Sequence, residues 1–239
     1  MNIFGLALRA NWRKGFTLIE LLMAMMIFAL VMSAVFAAYR SQQRSQTAQE
    51  ALVEMQQNIR AAMLVMTQDI REAGCDPTGQ AGAGIVKATA GVFQFTKDTA
   101  GDPNLPNSAN GRVTDPNENI TFGFSPANDP ERTGVIVNGG AANLGRNTGG
   151  GFQPIAENLG AIEFRYLLQD GTFTTNPDVS QIPGIVGVQI SLLARVGKAD
   201  PDYTSAQSFT TAAGTIWGPF ADHFRRKLDI VTVHLRNKF

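Results

Sequence analysis

Between Leu21 and Tyr39 the chain runs for 19 residues without a charge, a glycine or a proline. About 20 apolar residues cross the hydrocarbon core of a bilayer. Counting from Phe16 makes the segment long enough, provided Glu20 is accommodated. A charged side chain costs roughly 2.5–3.5 kcal/mol at the centre of a membrane helix and less near its end. Glu20 lies four residues from Phe16, so it stays near the interface. The leader before it carries Arg9, Arg13 and Lys14 and no acid. Positive flanks remain cytoplasmic, so the N-terminus is expected inside and the body outside. Arg40 and Arg44 weaken this bias without cancelling it.

A secretory signal peptide is cut after its apolar part and loses it. Here Lys14-Gly15 precedes the apolar run, and a cut after Gly15 keeps the greasy helix as the new N-terminus. Two readings follow. A plain signal anchor carries Glu20 as a tolerated charge. An assembly arm gives it a partner, because cleavage creates an α-amine on Phe16 that can meet a neighbour's carboxylate in a bundle of such helices. An unpaired carboxylate away from water is expensive, so the pair would set the register.

No glycine or proline occurs from Phe16 to Ala73. Either would weaken or break a helix. After Tyr39 the sequence turns polar, but Ala48, Leu52, Met55, Ile59, Met63, Met66 and Ile70 recur at spacings of three and four, the period of a helix. Gly74 and Pro77 supply stop signals. The predicted helix is 58 residues, roughly 87 Å at 1.5 Å per residue. Its first half is apolar all round, and its second half has one face to bury.

The segment around the cut resembles the type IV prepilin N-terminal motif shared by pilins and type II secretion pseudopilins. The matching residues are Lys14-Gly15 at the cut, Phe16 after it, and Glu20 at the fifth position of the mature chain. The resemblance implies cleavage after Gly15 by a membrane prepilin peptidase and N-methylation of Phe16. It also implies an assembly role for Glu20. Major pilins commonly carry a proline midway through the membrane half of the helix. This chain reads Val35-Phe36-Ala37-Ala38 there, which departs from the major subunits.

From Cys75 onward the sequence reads as short strands between turns rich in Gly, Pro and Asn. Strands are expected at 92–95, 120–124, 134–137, 161–168, 186–196 and 228–236. Val188, Ile190 and Leu192 alternate with Gln189 and Ser191, as in a half-buried strand. Lys97 to Gln153 holds only short apolar islands and is expected as long exposed loops. The head is large enough for its own core. The predicted fold is α+β, a long N-terminal helix packed against an antiparallel β-rich head. The expected divisions are 1–15 (leader), 16–39 (membrane and assembly helix), 40–74 (its amphipathic continuation) and 75–239 (head).

Reactive chemistry is sparse. His223 and His234 have no metal-ligand spacing. The runs Gly139-Gly140 and Gly149-Gly150-Gly151 lack the Lys-Ser/Thr ending of a phosphate loop. Cys75 is the one cysteine, without a neighbouring base to activate it. Asp98, Asp102, Asp115 and Asp129 lie in loops without calcium-loop spacing. The chain holds 20 basic and 20 acidic residues. Losing residues 1–15 removes three basic ones, leaving 17 minus 20, or −3. No concentrated basic surface indicates nucleic-acid binding. No cofactor, metal or enzymatic activity is expected.

Three more segments carry resemblance to PilW-type minor pilins and to the J-type minor pseudopilin. They are Met66 to Gly74, Asn158 to Tyr166, and Arg226 to Asn237 with its Arg-Asn close. Asp69, Arg71, Arg226 and Arg236 in these segments either pair or face solvent. The resemblance implies a low-copy minor pilin that helps initiate or cap a type IV pilus; the alternative is the J-type subunit of a type II secretion system. Its implied partners are the prepilin peptidase, other minor and major pilins or pseudopilins, and an inner-membrane assembly platform. The implied location is the inner membrane, single pass, with the head periplasmic.

Overall fold

The computed structural model describes residues 15–101 and 108–237. The chain divides into two compact units, one ending at Ala48 and one beginning at Gln49. Both contribute to helix α1, Leu18–Arg71.

In the first unit every described side chain from Gly15 to Thr47 is exposed in the single chain. Phe16, Leu18 and Met26 are 90%, 77% and 68% accessible. This stretch is long and apolar enough to cross a membrane. Apolar surface of this extent needs lipid or other helices to cover it.

In the second unit α1 buries the expected stripe. Met55, Ile59, Met63, Met66 and Ile70 face the core together with Ala62, and Leu52 packs at its margin.

The strands are β1 Ile85–Ala88, β2 Phe93–Thr96, β3 Asn119–Phe124, β4 Ala142–Asn147, β5 Phe152–Leu168, β6 Phe173–Thr174, β7 Ile185–Arg195, β8 Phe209–Thr210, β9 Ile216–Trp217 and β10 Arg226–His234. The main sheet runs β1-β2-β3-β4-β5-β7-β10, with β6 beside the end of β5. Every pairing in it is antiparallel. The architecture is therefore α+β, a long helix against an antiparallel sheet.

Alternation along the strands explains the two faces. Phe93, Phe95, Phe122, Phe164, Tyr166, Val188 and Ile190 point to the helix and are fully buried. Phe93 is central, with ring centroids of Phe95, Phe164 and Tyr166 at 5.4, 5.9 and 5.6 Å. The Tyr166 hydroxyl donates to the Thr89 carbonyl at 2.8 Å, so its polar end is satisfied. On the opposite face a smaller cluster forms from Ala161, Leu193, Phe209 and Trp217, with Phe220 and Leu228 against it. The β8–β9 hairpin thus covers part of the outer face.

Several expectations are corrected. Residues 134–137 form no strand. Val135 makes a single bridge to Ala161, and a 3-10 turn follows at Val137–Gly139. The reason is crowding. A Cβ at Gly134, whose φ is +79°, would sit 2.2 Å from the Ile162 carbonyl oxygen and 2.8 Å from the Gly91 Cα. Two backbones touch there, which only glycines permit. The stretch 97–153 is also not simply exposed loop. It contains β4 as well as β3, and within it Asp98, Glu118 and Asp129 are buried.

A candidate assembly arm and the polar clamps of the head

The chain enters α1 through Gly15, Phe16 and Thr17, which precede the first helical residue. The Thr17 amide donates to Glu20 Oε2 at 2.9 Å, and the Thr17 hydroxyl donates to the same oxygen at 2.8 Å. The Glu20 amide donates back to the Thr17 hydroxyl at 3.3 Å. This is a reciprocal capping box, Thr-x-x-Glu, which satisfies free amides at a helix start. Glu20 is thus held by its own chain before any neighbour arrives. Reading the sequence for a charged partner missed this, although Thr17-Leu18-Ile19-Glu20 spells the signal.

Among the described residues the space around Gly15 is open, and a Cβ there would meet nothing within 4 Å. Phe16 is the most exposed of the large apolar side chains among the described residues. Lys14 lies outside the described residues.

At the other end of α1 the head clamps the helix. Arg146 on β4 binds Asp69 through Nε at 2.7 Å and through a terminal nitrogen at 3.4 Å. It also donates to Asn117 at 3.0 Å. The Lys97 ammonium donates to Glu72 at 2.5 Å and lies 3.9 Å from Asp69. The residues just after β10 close the helix with polar groups. The Arg236 amide donates to the Arg71 carbonyl at 3.3 Å, and the Asn237 amide group to the Glu72 and Ala73 carbonyls at 3.4 Å each. Terminal carbonyls of a helix have no partner within it, and these donors supply one. Of the four charged residues read as either paired or solvated, Asp69 and Arg226 are paired. The described contacts of Arg71 and Arg236 are through their backbones.

Arg226 anchors the outer face. Its guanidinium binds both oxygens of Asp222 at 2.6 Å. It also donates to the Gly139 carbonyl at 3.0 Å and lies 3.9 Å from the Phe220 ring centre. Arg195 stacks on Phe224 at 3.8 Å and donates to the same carbonyl at 3.4 Å. The hydrogen bonds from Arg226 hold the Asp222 carboxyl below the usual aspartate range.

The loop aspartates organise backbone. Asp98 accepts the amides of Asn110 and Gly111 at 3.0 and 2.9 Å. Asp129 accepts those of Thr133 and Gly134 at 3.0 and 2.7 Å. The Asp115 carboxylate takes the Asn110 side-chain amide at 2.8 Å. Asp102 lies outside the described residues. His223 shares a hydrogen bond of 2.6 Å with the Tyr203 carbonyl, and His234 is exposed. No group of three or more metal-ligating side chains is present among the described residues. Cys75 is free and half-buried. Partial burial first, then the nearby Glu72 charge, push its thiol pKa up, the opposite of what a nucleophile needs.

Residues 13–36 match the model of the prokaryotic N-terminal methylation motif. Residues 141–237, from the start of β4 to the end of the described chain, match the model of type IV pilus-assembly protein W. No curated protein matches. Among solved structures, a type IV-like pilin from Thermus thermophilus is similar at 18% identity, with a TM-score of 0.43. The match covers 76% of this chain and 95% of that one.

Proposed function

Since the chain is type IV pilin-like, of PilW type and with a prepilin N-terminal signal, we propose that it is a minor pilin. In this reading it is a low-copy structural subunit that helps initiate or cap a type IV pilus. The observation that carries the proposal is the pilus-assembly match over residues 141–237. Membership in the pilin-processing system implies a prepilin peptidase and other pilins as partners. Prepilin peptidase removes residues 1–15 and methylates Phe16. The arm from Phe16 stays in the inner membrane with the head on the far side until it joins a filament.

Glu20 then has two successive roles. In the unassembled subunit it closes the helix start with Thr17. In the filament it meets the amine of Phe16 from a neighbour. The capping box supports this order, because it keeps the carboxylate satisfied until a stronger, charged donor arrives.

Quantitative proteomics of sheared filaments tests the minor role. The chain should be present at a small fraction of the most abundant pilin. Equal or greater abundance refutes it. Recovery with a secretion pseudopilus instead of pili favours the J-type reading.

A further inference from the structure

The two edges of the main sheet are unlike. At one edge β1 has four residues and a register break between Ile85 and Lys87. Short, irregular edges resist pairing with other strands. At the other, β10 has nine residues in unbroken register with β7, from Arg226↔Arg195 to His234↔Gly187. It contains no proline or glycine.

The direction of its backbone groups follows from the ladder. The Val196 amide donates to the Arg225 carbonyl, and the Leu235 amide donates to the Val186 carbonyl, both at 3.0 Å. Groups in an antiparallel strand alternate in direction. Lys227, Asp229, Val231 and Val233 therefore bond to β7. Arg226, Leu228, Ile230, Thr232 and His234 turn their amides and carbonyls outward. None of those groups has a backbone partner among the described residues. Ile230 is 42% exposed on the same face as Leu228. A groove of about 370 Å³ opens beside the start of this edge, between Gln207–Thr210 and Arg226–Leu228.

We propose that the β10 edge and its adjoining groove receive an extended strand from another pilin-type subunit of the same assembly. Five outward amides and five outward carbonyls in regular register match only an extended backbone, and strand addition draws its affinity from such bonds. The incoming strand presents apolar residues at alternate positions toward Leu228 and Ile230, and one of its side chains occupies the groove. That the donor is a pilin-type subunit rests on the minor-pilin reading.

The test uses the full chain in piliated cells, with a photoreactive benzoylphenylalanine at Ile230 or, as a reference, at Val35 in the arm. The expected product at position 230 is a crosslink into an alternating apolar segment of a different pilin-type subunit. Thr232→Pro removes one outward amide and no backbone bond to β7, since proline is tolerated on such edges; it also removes the hydrogen bond of 3.1 Å that the Thr232 hydroxyl accepts from Gln189 on β7. It should cut that crosslink about tenfold, roughly the worth of one hydrogen bond. Thr232→Val loses the same bond from Gln189 but keeps the outward amide, so it should leave the crosslink nearly unchanged. Trp217 fluorescence verifies that each variant is folded. Crosslinking at 230 to a second copy of this chain or to a non-pilin protein overturns the proposal. So does its absence while Val35 still links to pilins, which leaves the subunit reading intact. No pilin crosslink from either position overturns both.

Discussion

Replacing Arg226 with alanine should lower the stability of the head by about 3 kcal/mol. Its side chain is only 1% exposed and that of Asp222 is 29% exposed. Removing one partner of a buried ion pair costs roughly 3–5 kcal/mol, because the other is left uncompensated. Asp222 regains some water, which puts the loss at the low end of that range. For a domain of this size each kcal/mol moves the melting temperature by about 2–4 °C, so the midpoint should fall by about 6–12 °C. Trp217, in the outer cluster that Phe220 joins, reports the transition by fluorescence on the full chain in detergent. Asp222→Asn and the double variant complete a cycle, whose coupling should be about 2 kcal/mol. The pair also has a pH signature. A carboxyl whose folded pKa is lowered contributes stability that is complete above its unfolded value, about 4. That contribution is lost as pH falls through the folded value. Wild type should therefore lose an increment below about pH 4 that Asp222→Asn lacks. A loss under about 1 kcal/mol for Arg226→Ala, the range of an exposed ion pair, would refute the clamp.

Three other outcomes are expected. Gly15→Glu should block removal of residues 1–15 without changing the fold, since the space there is open; mass spectrometry showing a free Phe16 in that variant would count against the processing site. Glu20→Ala should leave membrane level and cleavage intact while incorporation with other pilins is lost, read by fractionation and crosslinking; normal incorporation returns the residue to a helix cap alone. Met66→Ala, at a fully buried position, should cost about 2–5 kcal/mol by leaving a cavity against the sheet; a change below about 1 kcal/mol, smaller than a typical cavity effect, would mean that the helix face is loosely packed.

The helix and its buried stripe were legible because their signals are local. Met55 to Ile70 announce one face by spacing alone, and α1 ends at Arg71, two residues before the expected boundary. Strands β2, β3, β7 and β10 were found near their expected positions because each alternates or clusters large apolar residues. β4 was missed for the opposite reason. Ala142-Asn143-Leu144-Gly145-Arg146-Asn147 has turn composition, and its place between β3 and β5 is set by neighbours remote in sequence. The buried carboxylates fell within the stretch read as exposed loop for the same cause. The amides that satisfy Asp98 lie 12 and 13 residues away, and folding alone brings them together. Arg146 carried no local sign that it would reach Asp69, 77 residues upstream.

The bonds from Asn237 to the end of α1 span 164 and 165 residues. Ribosomal synthesis delivers the helix well before these donors. While the chain is emerging, the carbonyls of Glu72 and Ala73 lack their final partners and β7 lacks β10 at its side. The head can therefore be finished only after translation has passed Asn237. A copy truncated before Arg226 would keep its membrane arm but leave β7 as a raw edge and the helix end uncapped. The segment from Arg226 to Asn237 thus acts as an inspection stamp for the finished head, and proteases would be expected to clear copies that lack it.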